Sequence, residues 1–208
     1  MRMVHYHLSG TNKFESNQAY RGGAIDNNLF DTSMTIDGKN QFINNKANMG
    51  GAISNQEGIR LNLYGENTFT NNKADFGDGA NIGGAIYSYK SLLNINGKNT
   101  FTQNSAVSPG GAIYFANSRF SMKGSNTFNS NTAPLGGAIL LIDSTYVELL
   151  GENVFNSNSA SSSGGAIRAN NVYELVLGNH NYFINNKASH SGGAVYTQNS
   201  FLNSQGSL

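Results

Sequence analysis

The chain has 208 residues, a formal net charge of +1 and only 12% charged residues. That length suits one domain with a sizeable core, and a charge balance with no basic run and no acidic tail excludes an electrostatic nucleic-acid binder. The absence of cysteine excludes disulfides and thiolate-bound metals.

Two further classes are excluded by pattern. The opening "MRMVHYHLSG" has no apolar stretch of the kind a secretory signal needs. The longest apolar run, Ala138–Ile142, is five residues, far short of the ~18 that span a bilayer as a helix. Asparagine is in excess at 33 copies, with 25 glycines. Such a polar, Gly-rich balance is compatible with disorder, but 12 Phe, 10 Tyr and regularly placed aliphatics argue for a core.

Read in chain order, one unit recurs. It starts with an alternating apolar pair: Leu61/Leu63, Leu93/Ile95, Phe120/Met122, Val147/Leu149, Leu175/Leu177. Next comes G-x-N-x-F, as in "GENTF" at 65–69 and "GKNTF" at 97–101. The Phe opens F-x-x-N-x-A, which occurs seven times, from Phe14, Phe42, Phe69, Phe101, Phe128, Phe155 and Phe183. A short spacer then leads to G-G-A-[IV], also seven times, from Gly22, Gly50, Gly83, Gly110, Gly136, Gly164 and Gly192. Phe-to-Phe spacing is 27 or 28 residues, except for one interval of 32 that holds an insertion around "FGDGAN" at 76–81.

The apolar positions alternate with period two, which is strand spacing, and no segment sustains a 3.6-residue stripe. A strand-built repeat of this length without hairpin dipeptides predicts a solenoid. The expected fold is all-β, a right-handed parallel β-helix of about seven coils, each with two or three short strands, roughly 34 Å long at ~4.8 Å per coil. It forms a single domain over residues 1–208, with no cap evident at either end. A leucine-rich repeat is excluded because L-x-x-L-x-L and a helical half are missing, and a propeller blade needs ~40 residues.

Each repeated residue has an expected task. Phe14, Phe42, Phe69, Phe101, Phe128, Phe155 and Phe183 should stack as a core column. Asn17, Asn45, Asn72, Asn104, Asn131, Asn158 and Asn186 should form a corner row with amide hydrogen bonds from coil to coil, a place where Asn also tolerates left-handed backbone. The Gly pair should supply positive φ or close backbone approach. The Ile that follows should point inward, since outward it would expose a long apolar stripe.

F-x-x-N with G-G-A-[ILV] in tandem resembles the chlamydial polymorphic outer membrane protein repeat. The resemblance implies a pectin-lyase-like β-helical passenger of an autotransporter adhesin, with an outer-membrane or secreted location and a host-cell protein or glycan as partner. This sequence holds neither the signal peptide nor the C-terminal barrel of that family, nor any Cys, so the expectation is a stretch of passenger or a short reading frame of passenger-type repeats. Exposed terminal coils would offer unpaired strand edges and a route to end-to-end self-association.

Candidate sites lie where the copies differ. The slot after G-G-A-[IV] reads Asp26, Ser54, Tyr87, Tyr114, Leu140, Arg168, Tyr196. With Ile inward these point outward as one row, and Tyr and Arg are favoured at contact surfaces; the alternative is that Tyr is there for its strand propensity. The expected binding set is Tyr87, Tyr114, Leu140, Arg168 and Tyr196, with Asp75 and Asp78 of the inserted loop second, as an acid pair, a calcium site or a merely solvated loop. An enzyme acting on polysaccharides needs a carboxylate pair, and Asp26, Asp143, Glu148 and Glu174 share no register position. His5 and His7 lie on one strand face, a weak basis for a metal pair. No catalytic residue, metal site or cofactor is therefore assigned. Lys39, Glu66 and Lys98 follow the Gly in successive units and should form an exposed charge ladder. The readings that remain are a non-enzymatic adhesin-type repeat domain, a polysaccharide lyase or glycosidase, and a structural stalk.

Overall fold

The computed structural model describes residues 4–28, 30, 32–57, 60–178 and 180–204. Gly206, the last position of the strand expected after Phe201, lies outside the described residues. All regular structure among the described residues is β, and every strand pairing is parallel, the arrangement of a β-solenoid of about seven turns. The coils build four sheets rather than two or three, the first described coil alone adding no strand to the fourth. The fourth was hidden in the sequence because it is only two residues long in most coils, as at Lys73–Ala74, too short to show alternation.

The four sheets are named here by the residue that marks each. The Leu sheet holds the alternating pairs, for example Arg60–Leu63, Leu92–Ile95, Arg119–Met122 and Tyr146–Leu149. The Phe sheet holds G-x-N-x-F, as in Glu66–Thr70 and Lys98–Thr102. The Ala sheet carries the short strands, and the Ile sheet follows the Gly pair, as in Ile86–Tyr89 and Ile139–Ile142. Equivalent residues pair across coils, Phe69 opposite Phe101 and Ile86 opposite Ile113, and the register shifts in the Ala sheet between Ala133 and Leu135, where Leu135 sits opposite Ser163. The insertion does not disturb this register, since Lys73–Ala74 before it still pairs with Ser105–Ala106 and Ile86–Tyr89 after it with Ile53–Gln56.

Phe fills the interior from the Phe sheet in every coil, whereas the Leu sheet uses Leu, Ile, Val, Phe and Met at its inward positions. Leu61, Leu63, Ile53, Phe69, Ile86, Leu93 and Phe101 are fully buried in one continuous core. The Phe rings stack with centroids 4.7–5.0 Å apart and planes within 3–9° of parallel. Burying each ring contributes on the order of 1.5–3 kcal/mol, and each ring–ring contact adds about 0.5–1.5 kcal/mol.

The corner Asn row is a closed hydrogen-bond circuit. Asn45 donates from Nδ2 to Asn72 Oδ1 at 3.0 Å and to the carbonyl of Phe14 at 2.9 Å. Its Oδ1 accepts from both the backbone N–H and the Nδ2 of Asn17. The pattern repeats through Asn72, Asn104, Asn131 and Asn158 to Asn186. Every donor and acceptor of the buried amide is used, which no other side chain of that size achieves. The left-handed backbone falls one residue earlier than expected, on Ser16, Asn44, Asn71, Gln103, Ser130, Ser157 and Asn185. The ladder Asn itself must aim its amide along the solenoid axis, so its predecessor makes the corner.

A second ladder occupies the Asn of G-x-N-x-F. Asn12, Asn40, Asn67, Asn99, Asn126, Asn153 and Asn181 link successively through Nδ2–Oδ1 bonds of 2.8–3.0 Å. The sequence marked this motif but not its task. The Gly pair divides its work: Gly50 takes φ +65°, whereas Gly51 lies against the next coil, where a Cβ would stand 2.1 Å from the carbonyl oxygen of Gly84. Both expected reasons for glycine therefore apply, one to each residue.

Candidate functional site

The slot after G-G-A-[IV] is one register row of the Ile sheet: Asp26, Ser54, Tyr87, Tyr114, Leu140, Arg168 and Tyr196 lie opposite one another in successive coils. It is not the open row the alternation implied. Ser54 and Leu140 are fully buried and Tyr87 is 7% exposed. Tyr114, Arg168 and Tyr196 are half-buried, and Asp26 is exposed. At coil spacing the large outer side chains cover their smaller neighbours, so Leu140, between Tyr114 and Arg168, is shielded by them.

Within the row two clusters form. The Tyr87 ring lies 5.3 Å from that of Tyr114 and 6.4 Å from that of Tyr89, and Lys90 Nζ sits 5.1 Å from the Tyr89 ring. Burial pushes the Tyr87 phenol well above its ordinary value, with Tyr114, Tyr89 and Glu57 acting in the same direction. Burial likewise raises Tyr114, assisted by the negative charge of Asp143. In the second cluster the Arg168 guanidinium lies 4.9 Å over the Tyr196 ring. It donates to Asn170 Oδ1 at 3.1 Å, to Gln198 Oε1 at 3.3 Å and to Ser163 Oγ. Arg168 is thus held by its own chain at Nε and at both terminal nitrogens.

The inserted loop keeps its two acids apart in role. Asp75 pairs with Lys46 at 3.3 Å, and Asp78 is exposed. Among the described residues no group of three or more His, Asp or Glu side chains is placed to hold a metal ion. The loop is organised by Asn48 of the preceding coil. Its fully buried amide donates to the carbonyl of Phe76 and to Asn81 Oδ1, and accepts from the Ala80 N–H, all at 3.1–3.2 Å. Sequence reading passed over Asn48 because it lies outside the repeated phrase. The signal was positional: other coils carry Tyr20, Asp75, Val107, Pro134, Ser161 or Ser189 there, and the one Asn precedes the one insertion.

The charge ladder is present, with Glu66 between Lys39 at 3.9 Å and Lys98 at 3.7 Å. Exposed pairs of this kind contribute ~0–1 kcal/mol. The Leu sheet also carries an outer polar cluster, Arg119, Ser121, Lys123, Tyr146 and Glu148, that sequence reading did not assemble. Ser121 opposite Glu148 and Arg119 opposite Tyr146 follow only from the register.

Fold and site together define a parallel β-solenoid repeat domain whose invariant residues build the scaffold and whose outward positions vary. The family model of the Chlamydia polymorphic membrane protein repeat matches the chain at residues 68–89, 100–116, 154–170 and 182–198. Each match runs from the Phe strand through the Gly pair to the end of the Ile strand, and the Leu-sheet strands lie outside it. No curated protein and no solved structure matches the chain.

Proposed function

We propose that this chain is a non-enzymatic repeat domain of a surface-exposed or secreted adhesin, a rigid rod that presents variable outer side chains to a host-cell protein or glycan. The match to a membrane-protein repeat and the solenoid fold fit the repeat domain of a surface protein. The observation that carries the adhesive reading is the division of labour along each coil. Phe, Asn and Gly are identical from coil to coil and buried in the inner coils, while the partly exposed slot after Ile changes from Tyr114 to Arg168 to Tyr196. Half-exposed Tyr and Arg are the residue types on which interfaces concentrate binding energy.

The test is attachment of the purified chain to cultured cells and to immobilised glycans, with Tyr114→Ser and Tyr196→Ser as variants whose fold is checked by circular dichroism. Reduced attachment by folded variants supports the row as the contact surface, and unchanged attachment removes that role. A chain that attaches to nothing is a stalk, and turnover of an acidic polysaccharide would restore the enzyme reading.

A further inference from the structure

The outer face of the Leu sheet carries a pocket of about 220 Å³ lined by Leu92, Asn94, Arg119, Phe120, Ser121, Tyr146 and Glu148. This is below the ~300–1,000 Å³ of sites that take drug-sized ligands, so it suits one ring-sized group. Its polar residues are ordered. Glu148 Oε1 accepts from Ser121 Oγ at 2.7 Å and from Lys123 Nζ at 3.1 Å, and Oε2 meets the Tyr146 hydroxyl at 3.5 Å. Burial opposes ionisation of Glu148, but the hydrogen bonds from Ser121, Lys123 and Tyr146 and the Lys123 charge outweigh it and hold the carboxyl below its ordinary value. Asn94 donates to Asn62 Oδ1 at 2.8 Å, and among the described residues its own Oδ1 accepts no hydrogen bond and keeps its acceptor capacity.

Arg119 is the exception in this ordered set. Its side chain is exposed, with the guanidinium 5.4 Å over the Tyr146 ring, and among the described residues that guanidinium makes no hydrogen bond and no ion pair. Arg168, which also lies over a tyrosine, has its guanidinium filled by three side-chain oxygens. Arg119 therefore presents an open donor fork, fixed in place by the ring beneath it, beside acceptors at Glu148, Ser121 and Asn94. A guanidinium fork matches a carboxylate. The adjacent acceptors match hydroxyl donors and disfavour a second anion. One unit that carries both a carboxylate and several hydroxyls on a ring is an acidic sugar.

We propose that this pocket is a binding subsite for one carboxylated pyranose unit of a glycan, with Arg119 meeting the carboxylate and Glu148, Ser121 and Asn94 meeting ring hydroxyls. The subsite deepens the surface-binding function by naming a ligand class, and it sits on a different face from the row after Ile. Its test is a titration of the whole chain, followed by backbone amide NMR, with glucuronate, N-acetylneuraminate and, as the neutral control, glucose. The two acids separate a hexuronate from a sialic acid as the source of the carboxylate. At least one acid should shift the signals of residues 119–122 and 146–148, glucose should not, and Arg119→Gln should weaken binding about tenfold. Arg119→Lys should retain part of the affinity, since it keeps charge without the fork. Arg119 is exposed, so both variants are expected to fold. The proposal is overturned if neither acid perturbs those residues, if Arg119→Gln binds as well as the parent, or if a short Asp-containing peptide binds there as tightly. Cell attachment that persists alongside any of those results leaves adhesion standing and removes only the subsite.

Discussion

Asn72 hands both its backbone N–H and its side-chain Nδ2 to a single oxygen, Oδ1 of Asn104, each at 3.0 Å. These two residues are 32 apart in the chain, whereas the neighbouring rungs are separated by 27. The ladder thus ignores the insertion completely. The extra residues leave the coil after Ala74 and return before Ile82, beyond the corner that Asn71 turns and the ladder position of Asn72.

Cutting one rung should be costly. In Asn104→Ala the backbone N–H of Asn72 loses its acceptor, its Nδ2 keeps only the Phe42 carbonyl, the carbonyl of Phe69 loses the Nδ2 donor, and Oδ1 of Asn131 keeps only the backbone N–H of residue 104. Several buried groups left unsatisfied at ~1–3 kcal/mol each would remove roughly 3–6 kcal/mol, a large share of the ~5–15 kcal/mol typical of a domain. Urea unfolding of parent and variant measures it. A loss under about 1 kcal/mol would mean that water or a shifted coil repairs the rung.

The two kinds of glycine should part company on substitution. At Gly51 a Cβ would meet the Gly84 carbonyl oxygen at 2.1 Å and Lys73 backbone atoms at 2.7 Å, so Gly51→Ala must push two coils apart and should cost more than about 4 kcal/mol. Gly77, in the inserted loop, has φ +69° and nothing within 4 Å of the added carbon. Gly77→Ala should cost only about 1–2 kcal/mol, the left-handed penalty. Thermal melts of the pair would show a large drop for the first and a small one for the second.

Asn48→Ala tests how the loop is held. The substitution removes the bonds to Phe76, Ala80 and Asn81 while leaving both Asn ladders intact. Amide exchange at Ala80 should accelerate at least about tenfold through local opening, with a smaller effect on global stability. Uniform acceleration across distant coils would instead mark Asn48 as part of the cooperative core.

The alkaline limit of stability should depend on Tyr87. Its phenol titrates higher in the folded chain than the ordinary value of 10.0, with burial the main cause. The folded state therefore holds its proton in a range where the unfolded chain has lost it. Stability from this group is complete below about pH 10 and falls as pH rises further toward the folded value. Phenolate absorbance should show a late-titrating tyrosine, and Tyr87→Phe should flatten the decline of unfolding free energy above about pH 10. An equal slope in both proteins would place the alkaline effect elsewhere.

Much of the fold was legible because a solenoid writes its geometry into sequence period. Phe69 and Phe101 stack since each coil returns the chain to the same place, and recurrence of Phe every coil says so without coordinates. Ile86 is buried as its alternation required. The two-residue Ala strands were not legible, because period two needs more residues to appear. Nor was the left-handed position: Asn71 and Asn72 are adjacent asparagines, and only backbone geometry tells which turns the corner and which carries the ladder.

What the sequence determined by itself was the parallel solenoid, its core column, its corner amides and the register that the repeat forces. These follow from periodic burial and from the valence of Phe, Asn and Gly, which are local and repeated. Tertiary structure alone decided exposure and partnership between non-equivalent residues. Leu140 faces outward and is covered, Arg168 is filled by Ser163, Asn170 and Gln198, and Arg119 is left open beside Glu148. Those outcomes depend on side-chain length and on which neighbour stands one coil away, about 4.8 Å off, and no period in the chain encodes them.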